Sequence, residues 1–572
     1  MVLAALGTYP GYGRMQPMLQ KLKSPQNILQ DLVAGLTGAV AGAPQAMGFA
    51  ILAGVSPLYG LYGAFVTAIV ASALSSSTLI VFAPTNALAL VSGSTLLGYE
   101  GSQQLDVLFL LTMMLGVLML AVGLLRLGNL TRFVSRAVMT GFITGAGLLI
   151  MLGQLNHLTG VEVENSRVPL LELWRWLLAL PSSDLRTTLI GLAAIIMIGG
   201  LHFTQLRSYA TLLAILILTA LTLFLGWDTV EVVQDMSEIP QGFPAPFLPD
   251  FSLAPELFST ALALSILAAV QSAALITSTR EREDGSVNVS RDFSAMGVGN
   301  IVGGIFQGMP SCASLSRTAV NLSAGAQTRL SNLSAGAFVG VIILMFGGFI
   351  EQVPLAVLAG HLVVAAFSLI SIRDLKIVWR VGWAGRAAMM VTLVSALLLP
   401  LQYSIYIGVG LSLLLYVYTS AYNIQITRLI PTADGHFRKV DVPEQLPERE
   451  IVVLSVHGHL YFAAVHQLER SLPAPEADCR DVVVILRLNE NMYLGSTGID
   501  MLERYKEKLE QQGGRLILVD VEQAVRSQLE RTRALAVFGE ENVYFANEVV
   551  LGATEDAYKD AQVWLAAKQP QL

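Results

Sequence analysis

The sequence predicts a polytopic α-helical membrane protein of fourteen segments, built as two inverted seven-segment repeats (core and gate domains) with a C-terminal α/β domain. Three observations carry this. The 572 residues are 54% hydrophobic and only 13% charged, far from a soluble average, and the apolar ones come in long blocks up to about Tyr422. Each half holds one short segment, in third place, interrupted by proline. After about Arg438 short apolar strands alternate with helical stretches.

Residues 1–27 read as a cytoplasmic N-terminal segment, because Arg14, Lys21 and Lys23 precede a full-length span without a cleavage-site pattern. The expected first-half spans are 30–53, 57–75, 84–98, 104–126, 133–155, 185–204 and 207–226. Those of the second half are 256–278, 290–308, 315–325, 329–350, 353–371, 384–400 and 403–428. An odd number of spans per half turns the second upside down relative to the first.

The first span carries small residues from Ala34 to Ala43, which let helix backbones approach closely in lipid. Pro44 in its middle frees a carbonyl, and Gln45 puts an amide at membrane depth. Phe49 follows one turn later on the same face, so Gln45 and Phe49 either wall a cavity or simply pack. In the third span a β-branched run meets Pro84, suited to a first helical position, and Thr85 and Asn86 follow.

The tenth span is the counterpart of the third. Pro310 breaks what precedes it, Ser314 or Leu315-Ser316 opens a short helix to about Gly325, and Arg317 brings a guanidinium to membrane depth. Two helices that start inside the membrane present unpaired N–H groups and partial positive charge. The pair is therefore suited to an anion. The competing arrangement is two ordinary proline kinks with Arg317 snorkelling to an interface.

Loop charges set the orientation. Lys21, Lys23, Arg126, Arg132, Arg136, Arg373, Lys376, Arg380 and Arg386 all fall on one side of a fourteen-span count, with both termini cytoplasmic. The loop from Trp227 to Glu256 is acidic without Lys or Arg and falls outside, while the mixed run Arg280–Asp284 falls inside. Cys312 and Cys479 lie in different regions and read as small buried thiols. No spacing suggests a metal site or a cofactor, and no basic patch with interleaved aromatics suggests nucleic acid. His157, His202 and His361 fall near span ends and read as interfacial.

Residues 28–430 thus form the membrane domain and 431–572 a cytoplasmic domain. In the latter, Ile451–Val456, Val482–Leu486 and Leu516–Asp520 are strands, and Gly498–Gln512 and Glu522–Arg533 are helices.

Several motifs together resemble the SulP family of anion transporters, the solute-carrier-26-like proteins. They are Asp31-Leu-Val-Ala-Gly-Leu-Thr37, Pro44-Gln-Ala-Met-Gly-Phe-Ala50, Val55-Ser-Pro-Leu-Tyr-Gly-Leu-Tyr62, Ser316-Arg-Thr-Ala-Val320 and Ala324-Gly-Ala-Gln-Thr328. The tail resembles a STAS domain through Gly458-His-Leu-Tyr-Phe462 and Leu494-Gly-Ser-Thr-Gly498. The resemblance implies an elevator-type mechanism, a homodimer, and a substrate pocket between the third and tenth segments. Carried over by position, it implies roles for Gln45, Phe49, Thr85, Asn86, Ala87, Ser316, Arg317 and Thr318. Two positions depart from the family. Gln271 stands where proton- or sodium-coupled relatives carry a carboxylate, and an amide cannot titrate but can still line the pocket. Gly495 stands before Ser496 where relatives often carry Asp; Ser496 reads as a plain helix start rather than a phosphorylation site.

The expectation is a carrier for small inorganic or carboxylate anions in the cell's inner (plasma) membrane. It needs no covalent chemistry, is not an enzyme, and has a tail that regulates, docks a regulatory protein or dimerises. The alternative is an uncoupled, channel-like anion conductance on the same fold. A nucleobase carrier is disfavoured because the spans lack the carboxylates that read ring N–H groups.

Overall fold

The computed structural model describes residues 25–572, apart from 129–133, 162, 164–168, 202, 205–208, 237–241, 280–286, 423, 433–435, 459, 476–479, 489–492, 550 and 569–572. Several expectations lie outside the described residues: most of the segment 1–27, Arg132, His202, the run Arg280–Asp284, His459 and Cys479. The chain divides into two compact units, Met1–Ser412 and Leu413–Leu572.

The expected fourteen segments appear in order. In the first half they are α1 (Pro25–Leu52), α2 (Pro57–Leu74), a strand β1 (Phe82–Pro84) leading into α3 (Asn86–Leu96), α4 (Ser102–Leu124), α5 (Arg136–Gly153), α6 (Leu185–Leu201) and α7 (Ala210–Leu225). In the second half they are α8 (Ala254–Thr279), α9 (Val289–Ile305), β2 (Ser311–Ala313) leading into α10 (Leu315–Ser323), α11 (Leu330–Glu351), α12 (Leu355–Leu369), α13 (Trp383–Leu398) and α14 (Leu401–Tyr422). Among the described residues eight helices are individually long and apolar enough to cross a membrane, so the short and broken segments supply the rest. The sequence does not foresee the helix Pro169–Ala179, which meets α6 across a 120° bend.

Helix packing follows the repeat. Adding seven to a segment number turns the pair α1–α11 into α8–α4, and α5–α13 into α12–α6; all four pairs pack. The groups that result are α1–α4 with α8–α11, and α5–α7 with α12 and α13. Close approach has a cause in the α4–α9 pair: a Cβ on Gly116 would stand 2.6 Å from Ile301 N, and one on Gly297 2.5 Å from Leu120 N. Without side chains at these points the two backbones touch, which supplies packing that lipid cannot replace.

The second unit holds a six-stranded sheet in the order β4-β3-β5-β6-β7-β8. Its strands are β3 (Gln425–Pro431), β4 (Phe437–Val440), β5 (Ile451–His457), β6 (Val483–Arg487), β7 (Arg515–Val521) and β8 (Val543–Phe545). The first three pair antiparallel and β5 to β8 parallel. Successive residues alternate faces. Val452, Leu454, Val484 and Leu518 pack into one cluster, while Val453, Ile485, Ile517 and Val519 pack with Ala557 and Ala561 of the helix Gly552–Ala567. The expected boundary at residue 431 needs correcting: α14 ends at Tyr422 and the sheet begins at Gln425, so a span to 428 is too long.

Candidate functional site

β1 and β2 pair antiparallel, with Phe82 opposite Ala313, Ala83 opposite Cys312 and Pro84 opposite Ser311. This three-residue ribbon lies inside the first unit, every one of its residues buried. Pro84 closes the strand rather than opening the helix, as the sequence reading had it. It sits where a missing N–H is tolerated, and Asn86 is the first helical residue. α3 leaves from one end of the ribbon and α10 from the other, so both helix N-termini are anchored to one element.

A short ribbon leaves backbone groups that water would otherwise satisfy, and side chains take that role. On the β2 side, Asn300 accepts from Ser311 N (2.8 Å) and donates to Ser311 O (2.9 Å), while Ala313 N donates to Ser272 Oγ (3.2 Å). On the β1 side, Asn332 Nδ2 donates to Thr78 O and Ile80 O, Asn321 Nδ2 to Leu79 O, and Val81 N donates to Thr318 Oγ1 at 3.1 Å.

Two carboxylates tie down the same broken segments where they reach the ends of their neighbours. Asp292 of α9, fully buried, accepts from Ser75 Oγ and from both the N–H and hydroxyl of Ser76 and Ser77 in the turn before β1. Asp31 of α1, also buried, accepts from Gln327 N, Thr328 N and Thr328 Oγ1 in the turn after α10. In the sequence, Asp31 stands out only as part of a family motif, and Asp292 is not singled out. An acid among apolar residues at a helix start was the available signal.

The expected site residues fall into two groups. Ser316 Oγ, on the exposed side of α10, lies 3.5 Å from Gln45 Oε1 of α1. Cys312 Sγ sits between Thr85 Oγ1 (3.5 Å) and Gln271 Oε1 (3.3 Å), a link the sequence gives no reason to expect. Asn86 turns its Oδ1 onto Ala87 N (2.8 Å), and Phe49 and Ala87 share one apolar cluster. Gln45 and Ser316 thus meet at the start of α10, while Thr85, Asn86 and Ala87 form the start of α3 and Gln271 reaches Thr85 through Cys312.

Arg317 and Thr318 form the second group. Each residue turns an α-helix by about 100°, so they point away from Ser316. Thr318 holds Val81 N, as above, and is a brace rather than an open hydroxyl. Arg317 is buried; its Nη2 donates to Gly42 O at 2.6 Å, and its Nε has no partner among the described residues. The side chain lines a narrow void with Gly38, Ala39, Ala64 and Val339, and no acidic side chain among the described residues pairs with it. Its charge is thus not neutralised locally and adds to the two helix dipoles. The arrangement can hold a small anion by N–H, hydroxyl and amide donors backed by a buried cation. Among the described residues no group of His, Cys, Asp or Glu is arranged to hold a metal ion.

Residues 28–392 match the sulfate permease family, and residues 444–548 match the STAS domain. The chain is 26% identical over 540 residues to the "Probable sulfate transporter 4.2" of Arabidopsis thaliana, covering 89% of this chain and 79% of that protein. It is 26% identical over 492 residues to the "Putative sulfate transporter YbaR" of Bacillus subtilis, covering 85% and 93%. Its fold is similar to a structure of SLC26A9 at 18% identity, with a TM-score of 0.85 over 98% of this chain and 94% of that one. It is also similar to the transmembrane domain of the cyanobacterial bicarbonate transporter BicA, at 24% identity and a TM-score of 0.58 over 68% and 98%.

Proposed function

The chain belongs to the sulfate permease family, and we propose that it is a secondary transporter carrying small anions of the sulfate, bicarbonate, chloride or dicarboxylate class across the membrane. The anion sits between the N-termini of α3 and α10, where Gln45, Phe49, Thr85, Asn86, Ala87, Gln271 and Ser316 surround it. Arg317 acts from behind α10 as a fixed positive charge, and Thr318 holds the tip in place. The observation that carries this reading is the β1–β2 ribbon, which ties both half-helix starts to one buried point. The names of the plant and bacterial relatives, a "Probable" and a "Putative" sulfate transporter, support sulfate as the first substrate to test.

In this reading the group α1–α4 with α8–α11 shifts against the group α5–α7 with α12 and α13, an elevator-type alternating access. The protein lies in the cell's inner (plasma) membrane with both termini cytoplasmic, works as a homodimer, and receives regulation through the domain that matches STAS. Binding and release of the anion require no covalent step, so no enzymatic activity is assigned.

One observation favours a second reading, an uncoupled anion conductance. Gln271 Oε1 takes the Cys312 thiol where a carboxylate would offer a titrating group, and an amide has no proton to couple. Radiolabelled sulfate uptake into proteoliposomes, with and without internal counter-anion and at set membrane voltages, separates the two. Uptake that requires internal anion supports the carrier; current that follows voltage without it supports the conductance. No movement of sulfate, bicarbonate, chloride or a dicarboxylate by either route overturns both.

A further inference from the structure

His361 sits midway along α12, in keeping with the expected span 353–371 and against its reading as an interfacial residue, and is only 5% exposed. Its Nδ1 lies 3.0 Å from Thr211 Oγ1 at the start of α7. Its Nε2 is buried and has no hydrogen-bond partner among the described residues. The ring lies against α1: a Cβ on Gly48 would stand 3.5 Å from His361 Cδ2 and 3.2 Å from Leu362 Cδ2. Gly48 is the residue before Phe49, and Leu362 shares an apolar cluster with Phe49. The imidazole therefore lies in the seam between the two helix groups, directly behind the wall of the candidate site.

Either neutral tautomer leaves one ring nitrogen without a partner. If Thr211 donates to Nδ1, Nε2 carries an N–H with no acceptor; if Thr211 accepts, Nε2 is a bare acceptor with no donor. Protonation puts an N–H on both nitrogens. Thr211 can accept one, and the closed seam has no acceptor for the other. Water entering a parted seam supplies that acceptor.

Among the described residues at the helices packed against α12, the carboxylates are Asp31 on α1 and Asp184, which caps the start of α6 and accepts from Thr187. α1 carries Asp31 alone, more than four turns from Gly48, and α7 carries no charged residue. Of the other helices against α12, α6 has Arg186 in its first turn, α5 has Arg136 at its start, and the turn Leu155–Thr159 has His157. Gly360 meets α6 at Ala194 and Gly191, beyond the first turn that holds Arg186.

We propose that His361 is a proton-binding site that gates the seam between α1 and α12, and that its protonation favours the arrangement in which the two helices part. The proposal rests on the carrier reading for its effect on transport, but not for its effect on the seam. A ligand that binds one of two conformations better shifts their populations, and a proton is such a ligand. One proton changes that equilibrium by at most about tenfold per pH unit.

The test uses the full chain in proteoliposomes, with equal pH inside and outside so that no gradient drives flow. Sulfate uptake is measured at pH 6, 7 and 8, and amide hydrogen exchange of α1 and α12 at the same values after correction for intrinsic rates. For the native chain, uptake is expected to change severalfold over this range, and exchange in both helices to rise as pH falls. His361→Gln keeps a neutral hydrogen-bonding side chain and is expected to flatten both profiles; His361→Asn is the second variant should the first fail to fold. An unchanged pH profile in a folded variant, or seam exchange in the native chain that does not respond to pH, overturns the proposal. A native chain that moves none of sulfate, bicarbonate, chloride or a dicarboxylate while its seam exchange still responds to pH, and loses that response in the variant, refutes the carrier reading and retains the proton site.

Discussion

Ala83 and Cys312 stand opposite one another at the centre of the β1–β2 ribbon, with one pair of partners on either side. Exchanging the two halves of the chain swaps Phe82 with Ser311 and Pro84 with Ala313, and leaves the central pair in place. The internal symmetry of the membrane unit therefore passes between Ala83 and Cys312. The Cys312 thiol, reaching Thr85 and Gln271, lies where both helix tips can feel it.

Removing the buried cation should cost transport, not insertion. Arg317→Ala is expected to lower sulfate uptake at least about tenfold, equivalent to ~1.4 kcal/mol, while Arg317→Lys, which keeps a charge but loses the planar fork, retains part of it. Uptake in proteoliposomes, normalised to reconstituted protein, checks this. Native-like uptake by Arg317→Ala would remove the charge from the site.

The two carboxylate anchors should act on stability first. Asp292→Asn replaces an acceptor of five donated hydrogen bonds with a group that is itself half donor, and is expected to destabilise by roughly 2–4 kcal/mol. Asp31→Asn, with three donors to lose, should do the same to a smaller extent. Thermal unfolding in detergent ranks the two against the native chain; the reverse order would mean the hydrogen-bond tally is not what sets the cost.

Placing an acid beside the thiol should make transport follow its protonation. In Gln271→Glu the side chain is anionic at high pH, where it repels the substrate, and neutral at low pH. Uptake is therefore expected to be depressed at pH 8 and to recover as pH falls, relative to the native chain assayed in parallel. A variant whose ratio to native is the same at pH 6 and pH 8 contradicts a position for residue 271 beside the anion.

The C-terminal domain offers a prediction independent of transport. Gly495 opens the helix Gly495–Gln511 at φ +65, and Gln528 Oε1 accepts from both Leu494 N and Gly495 N. A Cβ there would meet the Tyr493 ring at 3.0 Å in a backbone region costly for L side chains. Gly495→Ala is expected to cost about 1–2 kcal/mol here. Denaturant unfolding followed by the far-ultraviolet signal of this domain measures it, and a neutral result would show that the turn relaxes freely.

The fold was readable because its signals are local. Pro84 and Pro310 each break an apolar run at the third segment of its half, the loop charges segregate, and Val452, Val453 and their neighbours alternate between two faces as strands must. The direction of Arg317 was not readable: one position along α10 turns a side chain by about 100°, so Ser316 faces Gln45 while its neighbour faces Gly42. Asn300, Asn321 and Asn332 escaped notice for another reason. An asparagine within a helix announces nothing until an extended strand needs donors and acceptors beside it, and those strands lie as much as 254 residues away in the chain. His361 misled because a histidine's meaning depends on its neighbours, and Gly48 and Thr211 are brought to it only by tertiary packing.

The ribbon also constrains how such a chain could have arisen. A single seven-segment half contains one of its two strands and one of its two helix tips, so alone it could neither close the pair nor surround an ion. A primordial half would have needed a sister copy threaded through the bilayer the opposite way round. With both copies in one polypeptide each tip is free to differ from its twin, and here one holds Pro84 and Asn86 where the other holds Ala313 and Leu315.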